Sequence, residues 1–301
     1  AFPLAVYAED APYARPLGGT EATVTPLDRD ILAARHEALL RPDGATLVVC
    51  GDLADLPLDT IVDGAFGSWS SPVVTAPATP AAPDRAAQGR RVLVVDRPGA
   101  PQSEIRVGHV GAPRRIDDFH ATSVMNALLG GLFNSRLNML LREERGYTYG
   151  VSSGFDMRRA AGPFAVRCAV ESDVTVPAVA DIVGELARIG EDPVSDAELD
   201  AARDYLIGVF PLRFETSAQV AGALSGLVVH GLPDDELDRY RPAVAAVSAD
   251  DVRTAARAHI DVDAASIVVV GDASVCEEGL REAGYGEVEV VHDEGFGTTE
   301  A

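Results

Sequence analysis

The order of apolar and polar residues along the chain predicts strands that come in pairs, with helices grouped between them. Short aliphatic runs and period-two alternation indicate strands, whereas apolar residues that recur every three or four positions indicate helices. The predicted strands are Arg91–Asp96, Glu104–Val110, Gly146–Phe155, Pro163–Val170, Ser266–Val270 and Glu287–Val291. The predicted helices are Asp117–Leu129, Asn134–Glu143, Val176–Ile189, Ser195–Phe210, Ser217–His230, Asp234–Val244 and Ala249–Ile260. This order is typical of an α+β fold, in which helices pack on an antiparallel sheet.

A unit made of a capped helix, a short turn and an aliphatic strand occurs twice. Near the start, a helix that opens at Asp28 leads to the predicted strand Thr46–Cys50 and a Gly-Asp pair. Near the end, Ala249–Ile260 leads to Ser266–Val270 and a second Gly-Asp pair. The strands match position by position in residue type, so we interpret the two units as a duplication. Far fewer residues precede the first unit than the second, so we expect the first domain to lack most of its N-terminal part.

A stretch rich in Pro, Ala and Thr, with no amphipathic period, separates the two copies and predicts an extended linker. We therefore divide the chain into four parts. Residues 1–70 are the end of a truncated first domain, residues 71–88 the linker, residues 89–275 a complete second domain, and residues 276–301 a C-terminal tail. The chain opens with Ala1 rather than Met, so we expect residues upstream of it.

The charge balance excludes several classes of partner. The chain has 47 acidic and 25 basic side chains and a net charge of −22, which repels nucleic acid and anionic membranes. No run approaches the roughly 18 apolar residues of a membrane helix. The three cysteines, Cys50, Cys168 and Cys276, are too scattered for a disulfide framework or a thiolate zinc site. We expect reduced thiols and a cytoplasmic protein.

The sequence predicts no metal site and no nucleophile. None of the six histidines lies three or four residues from another, and neither His-x-x-Glu-His nor His-Glu-x-x-His occurs. A Gly-x-Ser-x-Gly elbow is also absent. Gly130 and Gly131 lie between two predicted helices, which does not favour a phosphate-binding loop.

Arg142 and Tyr149 are the candidate catalytic residues. They lie seven residues apart across a predicted helix-to-strand turn, where both side chains would reach one cleft. A guanidinium and a phenol hydroxyl together can hold a peptide carbonyl or a developing oxyanion. The alternative is an Arg142 that neutralises Glu143 and Glu144 and a Tyr149 that packs on a half-buried sheet. From spacing alone, this second interpretation is favoured.

The stretch from Gly130 to Tyr149 resembles the signature of the insulinase/pitrilysin-type zinc metallopeptidases. Its Ser-Arg-Leu, Leu-Arg-Glu and Gly-Tyr-Thr-Tyr groups are the most specific parts. Further similarity lies in Ala100–Ser103, in the helix start Val194–Leu199, in Ala11–Pro16 and in both Gly-Asp strand ends. The resemblance covers about residues 10–275.

In that family, two homologous α+β domains face each other across a chamber. The first carries His-x-x-Glu-His and binds zinc. The second supplies an Arg and a Tyr that hold the substrate backbone and stabilise the tetrahedral intermediate, and the resemblance implies that these are Arg142 and Tyr149. The zinc motif is absent from this sequence, so the resemblance implies zinc in a partner subunit or in a segment upstream.

Three hypotheses stay open. The chain is a zinc-lacking, substrate-binding part of a peptidase, which acts on peptides together with a homologous catalytic subunit. Alternatively, it is a piece of a complete zinc endopeptidase, or a non-catalytic structural subunit of a larger complex. A truncated first domain would expose an apolar face, so self-association or a partner is expected in all three cases.

Overall fold

The computed structural model describes residues 1–70 and 89–292 of the chain. The predicted linker, residues 71–88, and the end of the predicted tail, residues 293–301, lie outside the described residues.

A single six-stranded sheet forms the centre of the described fold, with the strand order β3-β4-β2-β5-β1-β6. Its strands are β1 (Val92–Asp96), β2 (Gln102–Val110), β3 (Val151–Phe155), β4 (Pro163–Glu171), β5 (Ser266–Gly271) and β6 (Val288–His292). The pairs β2–β4, β2–β5 and β3–β4 are antiparallel, whereas β1 pairs in parallel with β5 and β6. The predicted α+β fold is confirmed, and the sheet is mixed rather than wholly antiparallel.

Burial explains the pattern of each strand. Val92 to Val95 of β1 are all buried because both faces of the sheet are covered there, and such strands read as continuous aliphatic runs. In β2, Glu104 and Arg106 are exposed while Ile105 and Val107 are buried, so this strand shows the period-two alternation of a half-covered sheet.

Most of the helices after residue 118 cover one face of the sheet, and their apolar side chains contribute to the larger core. The helices are α1 (Phe2–Val6), α2 (Glu21–Val24), α3 (Arg29–Leu39), α4 (Leu58–Phe66), α5 (Phe119–Asn126), α6 (Arg136–Asn138), α7 (Thr175–Arg188), α8 (Asp196–Val209), α9 (Ser217–His230), α10 (Glu236–Ala246), α11 (Ala249–His259) and α12 (Ala273–Glu282). Two π-helical turns, Ala127–Gly131 and Met139–Glu144, extend α5 and α6. Short 3-10 turns lie at Pro12–Ala14, Ser172–Val174 and Phe210–Phe214.

The first fourteen residues cover the other face of the sheet. Phe2, Val6 and Tyr7 are buried in a second core cluster that includes side chains of β1, β4 and β5. The Ser266 hydroxyl donates a hydrogen bond of 2.9 Å to the carbonyl of Ala5, which fixes α1 on β5. This segment therefore belongs to the same packed unit as the sheet.

Two strand predictions were wrong. Thr46–Cys50 is not a strand, because no described segment pairs with it, and an isolated strand cannot satisfy its backbone groups. Residues 146–150 form a turn instead of the start of β3, because Gly146 has a φ of +67° and breaks the extended conformation. The sequence interpretation also overlooked α12, which lies partly in the predicted tail and packs on the sheet side of the core through Cys276 and Leu280.

Residues 15–70 contain no buried side chain. The predicted helix that opens at Asp28 is confirmed as α3, which Asp28 caps by accepting hydrogen bonds from the backbone of Asp30 and Ile31. Most of the larger apolar side chains of this region are exposed, among them Leu27, Ile31, Leu32, Leu39, Leu40, Leu47, Ile61, Phe66 and Trp69.

The predicted capping box at the start of α8 is confirmed and carries a stability prediction. The Ser195 hydroxyl accepts from the backbone N–H of Glu198 at 3.3 Å, and the Glu198 carboxylate accepts from the Ser195 N–H at 3.0 Å. Loss of a hydroxyl cap leaves a helix N–H without its partner, so Ser195→Ala should lower the free energy of unfolding by about 1 kcal/mol. Urea unfolding measures this change.

Ser217→Ala is the matched control, because Ser217 is the exposed first residue of α9 and its hydroxyl makes no hydrogen bond within the described chain. An equal loss of stability in both variants would contradict the capping role of Ser195.

Candidate functional site

The candidate site is the turn that joins α6 and its π-helical extension to β3. Gly146 adopts the left-handed conformation that commonly ends a helix, with a φ of +67°. The backbone N–H of Tyr147 donates to the carbonyl of Leu141 at 2.9 Å, and that of Arg145 donates to Leu140 at 3.0 Å. These bonds close the end of the helix and set the direction in which the following turn leaves it.

Asn138 fastens this turn to the sheet. Its side chain is buried, with 7% exposed, and its Oδ1 accepts from the backbone N–H of Val151 at 3.1 Å. The Nδ2 group lies 2.7 Å from the carbonyl of Val151 and 3.0 Å from that of Leu132. One amide thus links the first residue of β3 to the loop before α6, and it fixes both ends of the segment that carries Arg142 and Tyr149.

A second asparagine, at the end of α5, makes the same kind of link to β3. Asn126 donates from Nδ2 to the carbonyl of Ser153 at 3.2 Å, and the Ser153 hydroxyl donates to Asn126 Oδ1 at 2.9 Å. A Cβ atom on Gly130 would lie only 2.7 Å from the backbone nitrogen of Ser153, so glycine is required for the helix to approach β3 this closely. The Gly-Gly pair of the motif therefore serves packing.

Arg142 is held loosely. Its guanidinium carbon lies 4.1 Å from the centroid of the Phe133 ring, in a cation–π contact, and its Nε lies 3.7 Å from the Glu143 carboxylate. About 32% of the side chain is exposed, and within the described chain the guanidinium makes no hydrogen bond. The alternative prediction that Arg142 neutralises Glu143 thus has a contact behind it, while the N–H donors of the guanidinium make no hydrogen bond to the described chain and can serve a ligand.

The other arginines of the motif are occupied. Arg136 donates to Glu198 of α8 at 2.9 Å, and Arg145 donates to Asp181 of α7 at 2.9 Å. The hydrogen bond and charge of Asp181 raise the pKa of Arg145 above its usual value. These two ion pairs join the site segment to neighbouring helices, whereas the contacts of Arg142 lie within the segment itself.

Tyr149 projects from the turn, with 95% of its side chain exposed. The Thr148 hydroxyl donates to the carbonyl of Gly150 at 2.9 Å and accepts from its N–H at 3.2 Å, which holds the turn in shape. Tyr147, by contrast, packs partly buried against the larger core. The expectation that Tyr149 packs on a half-buried sheet is therefore wrong. The structure shows no contact between Arg142 and Tyr149, so their sharing one cleft stays a prediction.

Sequence reasoning missed Asn126, Asn138 and Phe133. Asn138 had a recognisable signal, because it is a polar residue beside the inward-facing Leu137 and Leu141, where asparagine is a poor helix former. Phe133 gave no signal, since an exposed aromatic residue in a loop shows no period.

The remaining candidate chemistry is limited. Among residues 1–70 and 89–292, no group of three or more His, Cys, Asp or Glu side chains is arranged to hold a metal ion, so these residues do not fit zinc.

Burial raises the pKa of Cys168 to about 12 and that of Cys276 to about 11, which keeps both thiols protonated and unreactive. No helix in the described part of the chain is long and apolar enough to cross a membrane.

The mixed sheet and its helical layer define an α+β domain, from which the turn with Arg142 and Tyr149 projects. The family model described as the peptidase M16 inactive domain matches residues 26–206, and the chain belongs to that family. The resemblance drawn from the stretch between Gly130 and Tyr149 is thereby confirmed.

Two curated proteins that are similar to this chain carry different names, one a zinc protease and the other a non-peptidase homolog. An uncharacterized zinc protease of Mycobacterium leprae is 28% identical over 218 residues, which are 71% of this chain and 48% of the relative. A Helicobacter pylori protein named a non-peptidase homolog is 26% identical over 172 residues, which are 54% of this chain and 39% of the relative. The chain spans about half the length, or less, of the curated relatives it matches.

Solved structures agree with the fold. The peptidase M16 inactive domain from Pseudomonas fluorescens superposes with a TM-score of 0.77 at 25% identity, over 89% of this chain and 63% of that one. A chain of complex III2 from Candida albicans, with Inz-5 bound, superposes with a TM-score of 0.68 at 15% identity, over 92% of this chain and 67% of that one. The second likeness concerns the fold alone.

Proposed function

We propose that this chain is the substrate-binding, zinc-lacking part of an M16-type peptidase, and that Arg142 and Tyr149 are its catalytic residues. The observation that carries the proposal is the contrast within one segment. Arg136 and Arg145 make hydrogen-bonded ion pairs with carboxylates at 2.9 Å, whereas Arg142 lies 3.7 Å from the Glu143 carboxylate without a hydrogen bond to any described residue, and Tyr149 is exposed. A turn that presents a guanidinium and a phenol hydroxyl, neither of them in a hydrogen bond with the described chain, is suited to bind a backbone carbonyl.

The two side chains have complementary roles in this proposal. The guanidinium of Arg142 donates to carbonyl oxygens of an extended peptide and so orients it. The Tyr149 hydroxyl donates to the carbonyl oxygen at the reacting bond and becomes a stronger partner when negative charge develops there. Asn138 and Asn126 hold both residues in place, because they fasten the segment to β3.

A catalytic partner completes the proposal. The exposed apolar side chains of α3 and α4, among them Ile31, Leu32 and Phe66, favour a covering domain. We propose that this cover is the zinc-binding half, supplied by a homologous subunit or by an upstream segment of a longer chain. The name of the M. leprae relative, a zinc protease about twice the length of the matched region, supports this choice.

The second candidate function is a non-catalytic structural subunit. It is favoured by the name of the H. pylori relative and by the shared fold with a chain of complex III2. In that case Arg142 and Tyr149 would have no effect on any peptide hydrolysis by the assembled protein.

Arg142→Ala distinguishes the two candidates. In the native assembly that contains this chain, we expect the variant to lower kcat/KM for peptide hydrolysis about 10–100-fold, mainly through KM, because charged hydrogen bonds to the substrate are lost. Steady-state kinetics on a fluorogenic peptide provide the measurement.

Arg145→Ala is the matched control, since Arg145 lies on the same segment and pairs with Asp181 instead of facing a ligand. Equal kinetics of the unsubstituted protein and Arg142→Ala, with assembly intact, would favour the structural subunit.

A further inference from the structure

A cavity lies beside the loop that joins β3 to β4. It has a volume of about 390 Å³ and is lined mainly by Tyr13, Met157, Arg158, Arg159, Val229 and His230. The lining thus combines two guanidinium groups, an imidazole and two apolar side chains. Neither Arg142 nor Tyr149 contributes to it.

The two arginines of the cavity differ in their partners. Arg158 forms an ion pair with Asp156, whose hydrogen bond raises the pKa of the guanidinium, and it lies over the ring of Tyr13 at 4.7 Å. Arg159 is exposed and has no carboxylate partner in the described part of the chain. The two adjacent guanidinium groups make this part of the lining positively charged in a chain whose net charge is −22, and a positive lining favours an anion.

His230 adds an unsatisfied polar atom. Its Nδ1 atom is buried and has no hydrogen-bond partner among the described residues. Burial, followed by the charges of Arg114 and Arg159, lowers the pKa of the imidazole and keeps it neutral near pH 7. A buried polar atom without a partner is costly, and the imidazole that carries it is part of the cavity lining.

The apolar side chains in the lining favour an anion that carries a hydrocarbon group. Met157 and Val229 offer contacts to a hydrocarbon group, and the cavity is small for a large polyanion. The planar guanidinium of Arg159 matches the two oxygens of a carboxylate. A ligand that joins an apolar side chain to a carboxylate satisfies both features.

We propose that this cavity binds an apolar carboxylate, with Arg159 paired to the carboxylate and Met157 and Val229 in contact with the hydrocarbon part. The C-terminal residue of a peptide and a small free acid share this chemistry. The inference is independent of the role proposed for Arg142 and Tyr149, because those residues lie outside the cavity.

Calorimetric titration of the full chain with three probes tests the proposal. The probes are acetyl-Ala-Ala-Leu with a free carboxylate, the same peptide as its C-terminal amide, and N-acetyl-leucine. We expect the dissociation constant of the peptide acid to be at least about 10-fold lower than that of the peptide amide. The amide has no carboxylate, so it cannot form the charged hydrogen bonds to Arg159. If N-acetyl-leucine binds as tightly as the peptide acid, the site recognises a small acid, and if it binds more weakly, the site recognises a peptide C-terminus.

Arg159→Gln should weaken binding of the acid about 10-fold and leave binding of the amide unchanged. Arg35→Gln is the matched control, because Arg35 is an exposed arginine on α3 outside the cavity. Equal affinity for acid and amide, an Arg159→Gln variant that binds the acid normally, or no binding at millimolar concentration would overturn the proposal.

Discussion

Tyr149→Phe is expected to lower kcat for peptide hydrolysis about 100–1,000-fold in the native assembly, with little change in KM. The reason is the position of the hydroxyl. Because Tyr149 is almost fully exposed and bonded to nothing in the turn, its O–H donor is free for the oxygen on which charge develops. An interaction that strengthens mainly in the transition state affects kcat rather than binding. Steady-state kinetics separate the two constants.

The same turn supplies the control for this experiment. Tyr147 lies two residues earlier, packs partly buried on the core, and has no role in the proposed chemistry. Tyr147→Phe should leave kcat within about twofold of the unsubstituted protein, since surface and half-buried hydroxyls away from a network have small effects. Comparable kcat values for Tyr149→Phe and Tyr147→Phe would exclude an oxyanion role for Tyr149.

Asn138→Ala is expected to lower the free energy of unfolding by about 2–4 kcal/mol. Its side-chain amide bonds both backbone groups of Val151 and the carbonyl of Leu132. Alanine would leave these buried groups without partners and would open a gap between α6 and β3. Urea unfolding followed by circular dichroism measures the midpoint and the slope, and an unchanged slope shows that the same surface unfolds.

Asn134→Ala controls for the loss of an asparagine in the same segment. Asn134 is exposed and makes no side-chain hydrogen bond within the described chain, so its replacement should change stability by less than about 0.5 kcal/mol. If the two variants unfold at the same urea concentration, the link between α6 and β3 contributes nothing to stability.

Much of the fold was predictable because its signals are local. The periodicity of Ser217–His230 gave the exact bounds of α9, and the Ser195–Glu198 pair gave the start of α8. The aliphatic runs of β1 and β5 likewise reflect burial on both faces of the sheet. Each of these elements is specified by residues within one or two turns of it.

Prediction failed where partners distant in sequence decide the structure. Thr46–Cys50 has the composition of a strand but lacks a neighbouring strand in the described chain. The parallel pairing of β1 with β6 joins residues nearly 200 positions apart, which no local pattern specifies. Tyr147 and Tyr149 alternate like strand residues, yet the left-handed Gly146 places both in a turn.

The sequence predicts which residues form the candidate site, but it does not predict their partners in the folded chain. Arg142 and Tyr149 stand in a motif that a reader of the sequence can find, but their availability depends on which arginines are paired with carboxylates. Asp181 and Glu198, which pair with Arg145 and Arg136, come from α7 and α8 and become neighbours only in the folded chain. The same holds for the link between Asn138 and Val151.

The central claim is that this chain contributes the substrate-binding part of a peptidase. The most direct test is to purify the assembly that contains it from its own source, and to measure zinc content and peptide hydrolysis on the same sample. We expect about one zinc ion per chain, the stoichiometry of a catalytic site, together with hydrolysis that a chelator abolishes. An intact assembly with neither zinc nor hydrolysis would contradict the claim and favour the structural subunit.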